Sequence, residues 1–383
     1  MKIVLLSDLH YGHKRIPGEH IYKNLKNYVY PELKNCDLCI LCGDTFHSLL
    51  DFNHPVSKFL ILFINDLFYL SQKYKFGIRV LRGTYSHDRN QVTFIEQCAH
   101  KYMTELNIDI KTYSNISLDE ETINNESISI LYLPDDLPYK NVDDCLNYIY
   151  ELFNTRKIKS VDMIIGHGYC QHVLPCDSNM TSSLIYTEEK LNKICNHCAY
   201  FGHVHTPSIY KNKNNFSIIY IGSFERMNHG EEEKKGFLIV DTSTWKNTFI
   251  ENKNTLKFLT YTPLENDTLK IIENFKKWIN SQNLSKINQN YIRVIHNKPE
   301  IRQLLGKIIK DEFPEYKCIY STKSTVHDLS ISDTKIDLSE INLIKPTEEN
   351  IVDLIYDFLK DNNIGELDKL KIQDIWSLKY GEE

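Results

Sequence analysis

No apolar run in this chain approaches the ~20 residues that span a membrane, and none of the expected partners is a membrane. Positive charge is not in surplus either. The formal net charge is −6, so no global basic field announces a nucleic-acid partner, although binding needs only a local positive groove. No leader is expected either. Met1 runs directly into KIVLLSDLH, whose apolar stretch is cut short by Asp8, and the expectation is a cytoplasmic protein without a signal peptide. Paired zinc thiolates are missing too. Cys195-Asn-His-Cys198 has no second pair at matching spacing, and a structural zinc site needs four ligands. Ten cysteines without a secretion signal are expected to stay reduced. Cys36, Cys39 and Cys42 lie in CDLCILCGD, which reads as a buried strand. There are no internal repeats, and no low-complexity tracts beyond a general excess of Asn, Lys and Tyr.

What is present is a soluble globular composition, 42% hydrophobic and 25% charged, in a length of 383 residues that suits two or three units. Apolar, β-prone runs end in charge or glycine at 2–8, 38–44, 78–83, 128–134, 161–167 and 198–205. Helical stretches alternate with them near 19–34, 54–75, 91–106, 140–156 and 187–196. That alternation predicts an α/β sheet with functional groups at the strand ends. After residue 205 the pattern changes to the short strands SIIYIGSF, KGFLIVD, WKNTFIE and KFLTY, which predict antiparallel closure of a first domain near residue 260. A helix at 266–282, NYIRVIHN, a helix from Pro299 to Phe313 and YKCIYST predict a small βαβ-type domain over 261–321. Residues 322–346 read as a polar linker and 347–383 as two amphipathic helices.

Five segments share one chemistry: SDLHYGH, CGDTFHS, RGTYSHD, IIGHG and FGHVHTP. They bring Asp8, His10, Asp44, His87, Asp88, His167, His203 and His205 to the ends of strands. Carboxylates and imidazoles without thiolates are what a two-metal phosphoester hydrolase uses. Asp8-x-His10 and His203-x-His205 each put two side chains on one face if the backbone there is extended. Asp44, after Gly43, is placed to bridge two cations ~3.5–4 Å apart.

The order D-x-H, G-D, H-D, G-H, G-H-x-H resembles that of the calcineurin-like metallophosphoesterases. Within them it resembles the SbcD type, the nuclease subunit of SbcC–SbcD and MRE–RAD repair complexes, with a similar recombination endonuclease subunit in T-even-type phages. GDTFHS and IGSFERMNHGEEEKKGFLIVD narrow the likeness, which covers about residues 1–245 well. It implies a metallophosphoesterase β-sandwich flanked by helices, with a DNA-capping domain and a C-terminal helix pair. It implies two divalent cations, manganese in preference to magnesium. One would be held by Asp8, His10, Asp44 and His205, the other by Asp44, His167 and His203. His87 would stand beside the scissile phosphate with Asp88 orienting its ring, and His47 is tied in the family to exonuclease action. One departure stands out. The family's Gly-Asn-His-Asp has no match here. Ser86 replaces the Asn when the run is aligned on His87, and Thr84 does when it is aligned on Gly83. A hydroxyl binds more weakly than an amide carbonyl, so the second cation is expected to be held more loosely.

The implied function is manganese-dependent DNA exonuclease and single-strand endonuclease activity in double-strand-break repair and recombination, in a bacterial or phage-infected bacterial cytoplasm. The alternatives are a phosphomonoesterase or small-molecule phosphodiesterase of the same superfamily, and a non-catalytic dimerising scaffold for an ATPase. Two partners besides DNA are expected. FLILFINDLFYL in the helix near 54–75 is apolar almost all round. Such a helix is either buried between the sheet and a neighbouring helix or packs on a second copy. The second reading predicts a homodimer with Phe68 on the outward face. The stripe Ile351, Leu354, Ile355, Phe358 and Leu359, with Leu367, Leu370, Ile375 and Trp376, is expected to dock on an SbcC-like, RAD-type coiled-coil ATPase.

Overall fold

Two six-stranded sheets face each other across a shared apolar layer, and the side-chain alternation of the strands builds that layer. The computed structural model describes residues 1–321 apart from 51–54, 107, 124–125, 172–183, 213–215, 266 and 283–289. In the strand Lys2–Leu6, Ile3 and Leu5 enter the layer between the sheets while Val4 and Leu6 pack under helices. Leu38–Cys42 repeats the division, with Leu38, Ile40 and Cys42 on the inner side and Cys39 and Leu41 on the outer. Both faces are covered, so these strands read as continuous apolar runs.

The first sheet runs in the order Lys246–Glu251, Gly236–Asp241, Lys2–Leu6, Leu38–Cys42, Gly77–Leu81, Ile110–Tyr113. Its first three strands pair antiparallel and the rest parallel. The second runs Ser208–Lys211, Ser217–Tyr220, Cys195–Gly202, Val161–His167, Glu126–Leu133, Ser117–Ile123. Helices Val142–Arg156 and Glu188–Ile194 bury Cys145, Ile149, Phe153 and Leu191 against its outer face. The expected α/β class, a two-sheet sandwich flanked by helices, is therefore what forms. Ser117–Ile123 is a strand the pattern SLDEETI conceals, because an edge strand tolerates charge. From it Glu121 reaches the buried Arg79 of the other sheet at 2.5 and 2.6 Å. Removing one partner of a buried pair like this costs about 3–5 kcal/mol.

The strand Phe258–Tyr261 corrects the reading of KFLTY. It does not close the first sheet. It pairs parallel with Asn290–Ile295, which pairs parallel with Tyr316–Ser321. Helices Thr268–Ser281 and Pro299–Glu312 connect them around Phe275, Ile292, Val294 and Leu305. Phe258 and Tyr291 also join the core of the first sheet, and the described residues belong to one compact unit. The linker 322–346 and the helix pair 347–383 lie outside the described residues.

The helix Pro55–Tyr74 corrects a second expectation. Phe68 does not face outward. It is 3% exposed and packs with Leu60, Phe63, Ile64 and Leu67 in the core of the first sheet. Its other side is covered by the preceding helical segment of the same chain, from which Tyr22 and Tyr30 donate to Asp66 at 2.8 and 3.2 Å. Phe68 is therefore no handle on an interface between copies, while Phe59, Ile61, Leu62 and Leu70 of the same run are only half-buried. The described cysteines are free thiols, and Cys195 donates to the Cys198 carbonyl at 3.3 Å. No helix among the described residues is long and apolar enough to cross a membrane.

Candidate metal centre

The strand ends converge on Asp44. Its Oδ2 lies 3.7 Å from His10 Nε2, 3.4 Å from His167 Nε2 and 4.0 Å from His87 Nε2. Its Oδ1 accepts from the Thr84 amide at 2.7 Å, which fixes the carboxylate and leaves Oδ2 turned to the imidazoles. Asp8, His10 and His205 form one group of converging ligand atoms, and Asp44, His167 and His203 a second. Within the first, His10 Nε2 and His205 Nε2 are 3.2 Å apart, and each is 3.8 Å from Asp8 Oδ1. Ligand atoms bonded at about 2.1 Å to one ion lie roughly 3–3.5 Å from one another, so the first group is close to a coordination shell.

The backbone reaches this arrangement differently from the extended pairing the spacing suggests. The strands stop at Leu6 and Gly202, before Asp8 and His203. Asp8, His10, Asp44 and His203 take φ of 52°, 47°, 48° and 81°. Left-handed φ on a non-glycine residue costs on the order of 1–3 kcal/mol and persists only where surroundings enforce it. Here the Asp8 and His10 amides donate to the carbonyls of Gly43 and Asp44 at 3.1 and 3.0 Å. The two loops are thereby zipped together, and that zipper, not strand alternation, aims Asp8 and His10 at one point. Gly43 is obligatory beside it: it has φ of 93°, and a Cβ there would collide with the His167 ring.

Second partners set the rings. His167 Nδ1 meets the Cys42 carbonyl at 2.8 Å, so its Nε2 is the nitrogen offered inward. That Nε2 is buried and has no hydrogen-bond partner. An orphaned imidazole nitrogen beside a carboxylate oxygen is what a cation ligand looks like when only protein is present, and the donor set fits a hard or borderline divalent ion. His205 Nδ1 lies 3.4 Å from Glu231 Oε1, and the fully buried Lys235 holds Glu231 at 2.8 Å. Such carboxylate–imidazole pairs orient ligands and raise their basicity.

Electrostatics separate the groups. Burial pushes the Asp8 carboxyl up, but the hydrogen bond from His10 and the charges of His167 and His205 hold it well below the usual range. Asp44, likewise buried, is drawn down to about 2, chiefly by His167. Burial would lower His167, but Asp44, with Asp8 and Asp135, carries it up to about 10. His203 goes the other way, to about 4, through burial and the His167 charge. Below pH 10 the metal-free pocket thus stores a proton on His167. A cation needs neutral imidazole, so uptake must expel it. At pH 8 manganese binding should release at least about one proton per chain, and affinity should rise from about pH 6 to 9. Calorimetry in buffers of different ionisation enthalpy reads this directly, and identical heats in all buffers would contradict it.

The loop after Gly77–Leu81 decides between Ser86 and Thr84. Ser86 is exposed on the short helix Tyr85–Asp88, so its assignment as a ligand is corrected. Thr84 Oγ1 reaches 3.4 Å from Asp44 Oδ2 and 3.2 Å from His203 Nδ1. The turn places the residue after Gly83 at the centre and rotates the residue before His87 to solvent. Thr84→Val should weaken the second cation about 10–100-fold, the scale of lost supporting contacts in metal sites, while Ser86→Ala leaves both unchanged. Manganese titration of the two variants checks this, and the reverse ranking would restore Ser86.

Asp88 also has a different task from the one expected. It does not touch the His87 ring. Buried completely, it accepts from the amides of Asp44 at 3.0 Å, Phe46 at 3.0 Å and Gly83 at 2.7 Å, clamping the two loops that carry Asp44 and Thr84. Burial and the Asp44 charge push its carboxyl up to about 7. His87 is oriented instead by the His47 carbonyl, 2.6 Å from its Nδ1. His47 Nδ1 in turn lies 3.3 Å from His10 Nδ1, and His13 packs edge-on against His47. Asp135, which the motifs did not single out, stands 3.7 Å from His203 Nδ1 and 3.4 Å from Thr84 Oγ1. Burial raises it to about 6. Its position two residues beyond the strand Glu126–Leu133 is the same strand-end signature as the others.

No protein-family model matches the chain, and no curated protein matches it. Among solved structures, a protein of Thermus thermophilus aligns at 8% identity and a TM-score of 0.38, over 66% of this chain and 99% of its own. A dimetal phosphatase from Danio rerio aligns at 9% identity and a TM-score of 0.38, over 66% of this chain and 96% of its own. At that distance the functional reading rests on the site itself: two ligand groups sharing one buried face around Asp44, with His87 at its open side.

Proposed function

We propose that the chain is a two-cation phosphodiester hydrolase acting on DNA. The observation that carries this reading is the placement of Asp44 Oδ2, within reach of imidazoles from both ligand groups and 4.0 Å from His87 Nε2. Asp8, His10, Asp44 and His205 would hold one divalent cation, and Asp44, His167, His203 and Thr84 the other, with manganese favoured over magnesium. Bound there, the cations supply Lewis acidity toward a phosphoryl group and acidify water.

The chain's own residues do the rest. The His47 carbonyl facing His87 Nδ1 selects the tautomer with the proton on Nδ1, leaving Nε2 to take up and deliver a proton. The His87 side chain is 30% exposed, against 3% for Asp44, so it is the ring that meets a substrate entering from solvent. From there it can place a proton or positive charge at the leaving oxygen. Asp88 and the zipper of 8–10 against 43–45 keep the ligand loops from relaxing. In a cell this hydrolase would serve as the nuclease subunit of a cytoplasmic double-strand-break repair or recombination complex, paired with a second copy and with a coiled-coil ATPase.

The test is a three-substrate assay with manganese: linear DNA, an aryl phosphodiester and an aryl phosphomonoester. Cleavage of DNA that EDTA abolishes supports the proposal. Turnover confined to the monoester would make the chain a phosphatase, and no turnover of any substrate would make it a scaffold.

A further inference from the structure

A cavity of about 580 Å³ opens beside the candidate metal centre, sharing Glu231 with it. Its walls come from the turn Gly230–Glu232, the strand around Phe258–Thr260, Trp278 of the helix Thr268–Ser281, and the cations Arg226, Lys257 and Arg293. This volume falls in the range of small-molecule sites.

The three cations are not equivalent. Arg226 is spoken for, donating to the carbonyls of Glu231 at 2.9 Å and Glu233 at 2.8 Å and to Thr255. Lys257 has no hydrogen-bond or ion-pair partner for its ammonium among the described residues, though it is half-buried. Arg293 gives one nitrogen to Thr260 at 3.2 Å and keeps a buried Nε–H with no acceptor. Of the two carboxylates on the wall, Glu231 is already held by Lys235 and His205, and Glu232 is exposed at the rim. Behind the wall, burial and the charges of Arg293 and Arg15 push His229 down to about 4, and its Nε2 is also buried without a partner. Burial and Arg226 likewise depress Lys257.

A half-buried lysine with no ion pair among the described residues, the nearby Glu251 carboxylate being held by Lys234 at 3.2 Å, and an arginine with an unused donor make an anion locus. Two uncommitted positive charges match a dianion better than the single charge of a diester. Trp278, only partly buried against Tyr261 and Phe275, gives the same cavity an aromatic wall, and nucleobases stack on such surfaces. We infer that this cavity binds the phosphomonoester of a nucleotide, the phosphate against Lys257 and Arg293 and the base against Trp278. The ligand is either a free nucleoside monophosphate or the 5′-phosphorylated end of a strand. The choice of a nucleotide over other phosphorylated aromatic molecules rests on the phosphodiesterase reading. The cavity lies one side chain from the metal centre, because Glu231 both lines it and holds His205.

Calorimetry on the full chain, stripped of metal with EDTA so that the metal centre does not contribute, tests this whether or not the protein cleaves DNA. The probes are dAMP, deoxyadenosine, inorganic phosphate, and an octadeoxyadenylate with either a 5′-phosphate or a 5′-hydroxyl. The expected result is that dAMP binds at least tenfold more tightly than deoxyadenosine or phosphate. Lys257→Met and Arg293→Gln should each weaken dAMP about tenfold, the scale of one lost charge-assisted hydrogen bond, and Lys257→Arg should restore it. Octamer binding only with the 5′-phosphate identifies a strand end as a source. Equal binding of both octamers at dAMP strength, equal binding of phosphate and dAMP, or no dAMP binding by folded wild type would each overturn the inference. Unfolding of both neutral variants leaves the comparison of the five wild-type probes decisive.

Discussion

Asp44→Ala should take bound manganese from about two equivalents per chain to nearly none and lower DNA cleavage by more than about 10³-fold. Among the described residues, Asp44 is the carboxylate with an oxygen within 4.0 Å of imidazole nitrogens on both sides of the centre. On the proposed assignment its loss removes a donor from each cation, and it also leaves His167 without the carboxylate that balances its charge. A forfeited cation pair costs several kcal/mol of charge stabilisation, and each 1.36 kcal/mol is about tenfold in rate. Metal analysis after gel filtration, alongside cleavage of linear DNA, reads both effects. A variant that keeps two equivalents would show that Asp44 does not bridge.

His87→Ala should separate chemistry from metal binding. Turnover is expected to fall about 10²–10⁴-fold, the usual cost of a lost acid–base group, while manganese content stays near that of wild type. The ring hangs from the His47 carbonyl and is the more exposed of the imidazoles around Asp44 Oδ2. Loss of metal in this variant would make His87 a ligand. That outcome is a genuine contest, because His10, His47 and His87 themselves form a converging group.

The sandwich and the strand-end positions of the candidate ligands were legible because burial on both faces leaves long apolar runs and these polar residues fall just beyond them. The geometry that joins them was not. D-x-H and H-x-H suggest extended backbone, yet Asp8, His10 and His203 lie past their strands with φ above zero. That conformation is enforced by the neighbouring loop, which no local pattern encodes. Ser86 and Thr84 could not be told apart for the same reason: the direction of a side chain in a short turn depends on the loop it packs against. Asp88 looked like a partner of its neighbour His87 but spends its oxygens on amides 42 and 44 residues away. Phe68 looked available because hydrophobicity alone does not say whether the cover comes from the same chain, and here it comes from residues 18–33. Glu231 sits in the acidic run EEEKK, where composition suggests a solvated face, yet it is the carboxylate that steadies His205.

Anomalous diffraction from crystals grown with manganese tests the two-cation centre most directly. The expected result is two peaks about 3.5–4 Å apart, one among Asp8, His10 and His205, the other among His167, His203 and Thr84, with Asp44 Oδ2 between them. A single peak, or peaks that leave His167 Nε2 unligated, would contradict it.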